Sequence, residues 1–253
     1  MGALHAGHQS LITKARELSD EVVVSVFVNP LQFEDKTDLA KYPKTPEQDA
    51  RLAQAAGVTN LWTPDYETIY PTETKKLSAG ELGSKFEGVH RLGHFDGVLT
   101  VVNRLFEMVK PRYAIFGEKD FQQLFLIRQF AHIKFPNTQI ISGETVRNKN
   151  GIALSSRNSR LTSDELEIAR VLPRTRERAQ SENSVSVRTL KALLQSELNG
   201  QPGFTLDYAE VVDPTTLLPV SDDFQGSVQV LLAGWIGSIR LIDNFAFIVK
   251  GQI

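Results

Sequence analysis

The sequence predicts an α/β fold: a doubly wound parallel sheet over residues 1–150, followed by a small α+β domain over 151–253. Three observations lead there. Apolar strand-like runs alternate with helix-period segments through the first part. The chemistry-bearing residues fall just past those runs, where a doubly wound sheet gathers its ligands. After about residue 158 the pattern changes to two helices and then three strands.

After MGALHAGH, Leu11, Ile12, Ala15 and Leu18 share one helical face. EVVVSVFVNP reads as a buried, β-branched strand ended by Asn29-Pro30. Thr45-Pro46 has the form of an N-cap with proline at the first helical position, opening a helix to about Ala56. VTNLW is a short strand. Residues 64–95 are rich in turn formers, with a short helix near 79–86. FDGVLTVVNRLFEMVKP is a mostly buried helix stopped by Pro111. RYAIFG and TQIISGETV are strands flanking the amphipathic helix KDFQQLFLIRQFAHIKF. RNKNGIALSSRNSRL is the connector to the second domain. There, Thr162 to Glu165 form a capping-box pattern, Pro173 kinks or ends the helix it opens, and VRTLKALLQSEL is a second helix. FTLDYAEVVD, VQVLLAGW and SIRLIDN are strands, the last two separated by Ile236-Gly237 as in a tight hairpin.

The bulk numbers narrow the function. The 253 residues are 41% hydrophobic and 23% charged, enough apolar material for a real core. A net charge of −2 gives no electrostatic case for nucleic acid or an anionic membrane. The absence of cysteine excludes disulfides, thiolate metal sites and cysteine nucleophiles, and fits a reducing compartment. The first residues lack a basic start and an apolar stretch, so no signal peptide is expected, and the longest apolar runs are too short to span a bilayer.

Four clusters could carry chemistry. In HAGH, His5 and His8 lie three apart at a helix start, so both imidazoles share a face. Backbone N–H groups there favour phosphate, and imidazole donors can follow charge developing on phosphorus. A frayed terminus with two surface histidines is the plain alternative; zinc lacks a third ligand nearby. In FVNPLQF, Asn29 and Gln32 follow a strand and suit hydroxyl or carboxylate groups of a small polar substrate, or simply form a turn. In GEKDFQQ, Gly117 ends a strand, Lys119 is a point charge for phosphate, Asp120 can cap the helix or bind a ribose hydroxyl, and Gln123 lies one turn past Lys119; a plain strand–turn–helix with a solvated charge pair fits equally. In LSSRN, Ser155, Ser156 and Arg157 suit a polyphosphate, or a polar linker. HRLGHF adds Arg91 and His94; Arg91 could pair with a carboxylate or phosphate, though a solvated loop is the default for this stretch.

Taken in order, HAGH, VNPLQF, YPKTPEQD, HRLGHF, GEKDFQQLFLIRQ, SSRN and RLIDN resemble the pantoate–β-alanine ligase (pantothenate synthetase) family over nearly the whole chain. That family lies within the HxGH nucleotidyltransferases. The resemblance implies a Rossmann-like N-terminal domain carrying the active site and a C-terminal lid, in a cytoplasmic homodimer. It implies ATP and Mg²⁺, with pantoate and β-alanine as the other small-molecule substrates. Pantoate attacks the α-phosphorus of ATP to give pantoyl adenylate and pyrophosphate, and β-alanine then displaces AMP.

By matching motifs, the resemblance makes His8, with His5 and Lys119, catalytic. Met1, Gly2, Ala3, Leu4, His5, Ala6, Gly7 and His8 line the ATP site. Gly117, Glu118, Lys119 and Asp120 also bind ATP, Val146 touches adenine, and Leu154, Ser155, Ser156 and Arg157 close over the phosphates. Gln32 and Gln123 hold pantoate, Asn29 supports that pocket, Arg91 assists from its loop, and Asp49 stands near magnesium, reaching it through water.

Three departures from the family pattern matter. Leu92 replaces the proline of an HRPGHF-like segment, freeing a loop φ angle beside Arg91. Asn150-Gly151 replaces Asp-Gly, with little change expected. The family's central strand precedes the methionine that is Met1 here, and a chain without it is expected to leave two ladder edges open. Two readings stand beside the ligase. One is a different HxGH nucleotidylyltransferase, against which Gln32 and Gln123 speak. The other is an N-terminally truncated, weakly active or non-catalytic nucleotide-binding form.

Overall fold

The computed structural model describes residues 2–33, 39–40, 42–182 and 185–250. The chain folds as two compact units, Met1–Val146 and Arg147–Ile253.

In the first unit, α1 (Ala6–Leu18) leads into β1 (Val23–Ser25), α2 (Pro46–Ala55) and β2 (Asn60–Trp62). Two single-turn helices follow, α3 (Tyr66–Ile69) and α4 (Glu87–His90). Then come α5 (His94–Val109), β3 (Tyr113–Gly117), α6 (Phe121–Lys134) and β4 (Gln139–Gly143). The strands are parallel, as the alternation with helices predicts. They form two pairs, β1 with β2 and β3 with β4, and no ladder joins the pairs among the described residues. The run EVVVSVFVNP therefore yields less strand than expected. Only residues 23–25 form β1, which among the described residues pairs with β2 alone, and Val23 is 42% exposed.

The core of this unit is the apolar stripe of α5. Phe95, Val98, Leu99, Val102 and Phe106 pack with Ile127 and Ala131 of α6 and with Ile69. Pro111 follows the end of α5, and Lys110 closes it in a left-handed conformation, its N–H donating to Phe106 O. Thr45 precedes Pro46 as expected but makes no side-chain cap. Its hydroxyl donates instead to Asp49 Oδ1 at 3.0 Å, one turn into the helix.

In the second unit, Thr162 and Glu165 form the expected capping box at the start of α7 (Ser163–Ala169). The chain breaks at Arg170 and resumes as α8 (Val171–Gln180), with Pro173 in its first turn. A proline there cannot donate to the carbonyl four residues back, Ala169, which is where α7 stops. After α9 (Val187–Asn199) come β5 (Phe204–Val212), β6 (Gly226–Ile236) and β7 (Ile239–Val249), an antiparallel sheet in the order β5-β6-β7. Ile236 pairs with Ile239, so the β6–β7 turn is Gly237-Ser238, one residue later than the sequence suggests. Gly237 has φ +54°, a conformation glycine enters without strain, at the first position of a two-residue turn. Leu190, Leu194 and Leu198 of α9 pack into one core with Val211, Val230 and Leu232. No helix among the described residues is long and apolar enough to cross a membrane.

Candidate active site

The start of α1 is built by its two histidines. His5 is the N-cap, extended at φ −142° and ψ 177°. Its Nδ1 accepts from Gly7 N–H at 3.1 Å, and its own N–H donates to Nδ1 of His8 at 3.2 Å. This is a capping box made of imidazoles, with ring centroids 4.0 Å apart. Two N–H groups that a helix start leaves without intrahelical partners are thereby satisfied. Burial, and then the neighbouring His5, push His8 down to about 3; burial, and then the Lys119 charge, lower His5. Both rings are thus neutral at pH 7. A neutral imidazole whose Nδ1 accepts a hydrogen bond carries its proton on Nε2. HAGH therefore offers two Nε2–H donors rather than two cations.

The backbone just before His5 is held by Asp49. Its Oδ2 accepts from Ala3 N–H at 3.0 Å, and its Oδ1 accepts from Leu4 N–H at 2.7 Å and from Thr45. Leu4 is buried and Ala6 exposed, so the loop has one face inward and one outward. Met1 lies outside the described residues.

Gly117 ends β3, and Glu118–Asp120 form a single 3-10 turn before α6. Lys119 Nζ lies 3.5 Å from Asp120 Oδ1. The Lys119 charge acts on His5, and that of Asp120 acts on His5, His8 and His94, so these segments from distant parts of the chain share one electrostatic environment. Gln123 sits half-buried in the first turn of α6. Because α6 begins at Phe121, it is related to Lys119 across a helix junction rather than along one helix.

Asn29 and Gln32 belong to a fixed polar network. Asn29 is 2% exposed. Its Oδ1 accepts from Tyr70 Oη at 2.7 Å and from Leu31 N–H at 3.1 Å. Its Nδ2 donates to Gly97 O at 3.0 Å and to Gln32 Oε1 at 3.3 Å. His94 Nδ1 donates to the Gln32 carbonyl at 2.8 Å. Gln32 is thus held by both its side chain and its backbone. Gly97 permits this, because a Cβ there would come 2.2 Å from Leu31 O. Arg91 ends α4, and its charge is felt at His94. Leu92, where the family pattern has proline, is 66% exposed.

Val146 is a half-buried residue past β4. In the second unit, Asn148 Oδ1 accepts from Asn150 and Ile152 N–H, so the Asn150-Gly151 turn forms as expected. Leu154 precedes a 3-10 turn, Ser156–Arg160, for which Ser155 is the N-cap, its Oγ accepting from Arg157 N–H at 3.2 Å.

Two residues without an obvious motif prove important to this architecture. Tyr70 is buried and completes the Asn29 network. Gln122 donates to Leu82 O and Lys85 O, each at 2.8 Å, and accepts from Glu87 N–H at 3.1 Å, so it ties α6 to the segment leading to Arg91. Only its place beside Gln123 in FQQ could have drawn attention to it.

His94 also sets a pH dependence. Burial, and then the Arg91 charge, lower it to about 4, against an unfolded value near 6.5. The unfolded chain therefore binds the extra proton between those values. The contribution of neutral His94 is complete above pH 6.5 and is lost as pH falls toward 4. In His94→Asn, whose amide can still donate to Gln32 O, the fall in urea midpoint between about pH 7 and about pH 4.5 should be shallower than in the parent. Parallel curves would contradict this account.

An α/β unit in which a histidine-capped helix start shares one electrostatic environment with the Lys-Asp turn past β3 carries the HxGH pattern in folded form. The family model for pantoate–β-alanine ligase matches residues 1–246. Pantothenate synthetase of Bacteroides fragilis strain YCH46 is 42% identical over 98% of this chain and 89% of its own length, and that of Thermobifida fusca is 38% identical over 96% and 86%. The crystal structure of pantothenate synthetase from Thermus thermophilus superposes with a TM-score of 0.89 at 41% identity, covering 97% of this chain and 90% of that one. Pantoate–β-alanine ligase from Francisella tularensis, solved with β,γ-ATP and β-alanine, gives a TM-score of 0.78 at 37% identity, covering 97% and 86%. The chain belongs to the pantoate–β-alanine ligase family.

Proposed function

We infer that the chain condenses pantoate with β-alanine using ATP, through a pantoyl-adenylate intermediate, with release of pyrophosphate and AMP. The observation that carries the chemistry is the imidazole capping box beside Lys119. Attack of pantoate's carboxylate on the α-phosphorus brings two anionic groups together. Two Nε2–H donors and the Lys119 ammonium would stabilise the charge as it moves onto the leaving pyrophosphate. The enzyme needs no covalent nucleophile, because the second step only requires β-alanine's amine to reach the acyl carbonyl.

In this reading Gly2 to His8 and Gly117 to Asp120 receive ATP, with Asp120 toward the ribose. Val146 meets adenine, and Leu154 to Arg157 engage the phosphates. Gln32 and Gln123 hold pantoate, Asn29 fixes Gln32, and Arg91 assists. Family likeness supports the division into a nucleotide- and pantoate-binding domain over 1–150 and a lid over 151–253. It also supports a cytoplasmic homodimer.

Magnesium would enter with the phosphates of ATP. Asp49 would act on it only through water, since the residue is 2% exposed and both of its carboxylate oxygens already accept hydrogen bonds. Among the described residues no three His, Asp or Glu side chains are grouped to hold a metal.

The test is AMP formation from ATP, which should require both pantoate and β-alanine; AMP release needing neither acid would overturn the assignment. Gly97→Ala probes the acid pocket. The added methyl collides with Leu31 O and displaces the segment carrying Gln32. The expected result is a KM for pantoate raised roughly 10–100-fold, with that for ATP nearly unchanged.

A further inference from the structure

We propose that Asp49 is the positioning residue of the HAGH turn: its buried carboxylate grips two successive N–H groups and so aims the Nε2 atoms of His5 and His8. The proposal deepens the ligase reading and rests on it for its kinetic arm.

The contacts cross the fold. Asp49 lies one turn into α2 and reaches Ala3 and Leu4, 46 and 45 residues earlier. Leu4 N–H donates to Oδ1, and the next N–H along the chain, that of His5, donates to His8 Nδ1. A shift of the Leu4 peptide therefore changes the geometry of the histidine box directly. Ala3 makes the grip more telling, because its φ is +52°, a left-handed conformation that an L-residue keeps only where its surroundings hold it. The bond from Ala3 N–H to Oδ2 is such a hold. Thr45 in turn fixes the carboxylate, giving up its own helix-capping role to donate to Oδ1. The first turn of α2 suits an anion, since its exposed N–H groups carry partial positive charge.

An acceptor at both oxygens is what the turn requires. Asp49→Asn keeps the size but presents an NH2 where one backbone N–H must donate. Its kcat for AMP formation is expected to fall roughly 100-fold, as for a misplaced catalytic group. The half-saturating concentration of Mg²⁺ should be unchanged. Imidazole ¹⁵N spectra at about pH 7.5 should show His5 and His8 as Nε2–H tautomers in the parent and as tautomer mixtures in Asp49→Asn. Thr45→Val, which removes a single donor from a half-buried position, should move both readouts the same way, with kcat lowered roughly two- to tenfold. It decides the matter if Asp49→Asn does not fold.

Parental kcat together with parental tautomers in Asp49→Asn, or in Thr45→Val if that variant alone folds, would overturn the proposal. So would a raised Mg²⁺ requirement relieved by excess Mg²⁺, which would place Asp49 on the metal. A parent chain that makes no AMP from ATP, pantoate and β-alanine would count against the ligase reading instead, and the tautomer spectra would still decide the positioning role.

Discussion

Replacing His8 by alanine is expected to lower kcat for pantoate- and β-alanine-dependent AMP formation by roughly 10²–10³-fold, the usual effect of removing one preorganised donor from a site of developing charge. Two roles are lost together, because His8 Nδ1 also accepts from His5 N–H at the start of α1. His8→Asn separates them. Asparagine can keep an acceptor for the His5 N–H but has no group at the Nε2 position. If the Nε2–H donor matters most, His8→Asn should be nearly as slow as His8→Ala while unfolding at the parent's temperature. Since burial holds His8 neutral, with its ring near 3, activity should show no loss from deprotonation of His8 between about pH 6 and 8. Recovery of most of the activity in His8→Asn would show that His8 serves the helix start rather than the phosphate.

The largest expected effect on stability lies in the second unit. Arg147 meets Asp243 with two hydrogen bonds, 2.7 Å to Oδ2 and 2.8 Å to Oδ1, and also donates to Gly151 O. The side chain of Asp243 is only 2% exposed. Arg147→Ala leaves that carboxylate buried and largely uncompensated, and a loss of about 3–5 kcal/mol is expected. The double variant Arg147→Met with Asp243→Leu removes both charges and should recover much of that loss, since a buried pair is often worth little against apolar residues of similar size. Urea unfolding followed by Trp235 fluorescence in a Trp62→Phe background reports on this unit alone, as the chain has only two tryptophans. A single variant within about 1 kcal/mol of the parent would show that water reaches Asp243 once Arg147 is gone.

Much of the architecture is legible in local patterns. The capping box at Thr162 and Glu165, the stop after α5 and the alternation of helices with parallel strands all depend on neighbours in sequence. HAGH is legible as a helix start with two histidines on one site. What escapes is what depends on contact at a distance. Nothing near Asp49 indicates that it reaches back to Ala3 and Leu4; an acidic residue in the first turn of a helix is common for dipole reasons alone. Tyr70 and Gln122 carry no motif, and their roles follow from meeting Asn29 and the 82–87 segment across the fold. EVVVSVFVNP promises more strand than it forms, because β-branched composition reports a preference for extended backbone and not how many partners a strand finds. Gln32 and Gln123 stand out through the family pattern; as bare glutamines beside turns they carry little signal.

If Gln32 holds pantoate as proposed, the Asn29 network also sets the polarity of that recognition. Asn29 Nδ2 donates to Gln32 Oε1, and this fixes which way the Gln32 amide is turned: its oxygen faces Asn29, and under the proposed function its NH2 is the end left for pantoate. A pantoate site placed there would therefore meet lone pairs, such as those of a carboxylate or hydroxyl. An analogue with an ammonium in that place would face a donor with a donor. Inhibitors aimed at this subsite should carry acceptors opposite Gln32, and those that demand a flipped amide must first break the hydrogen bond that holds it.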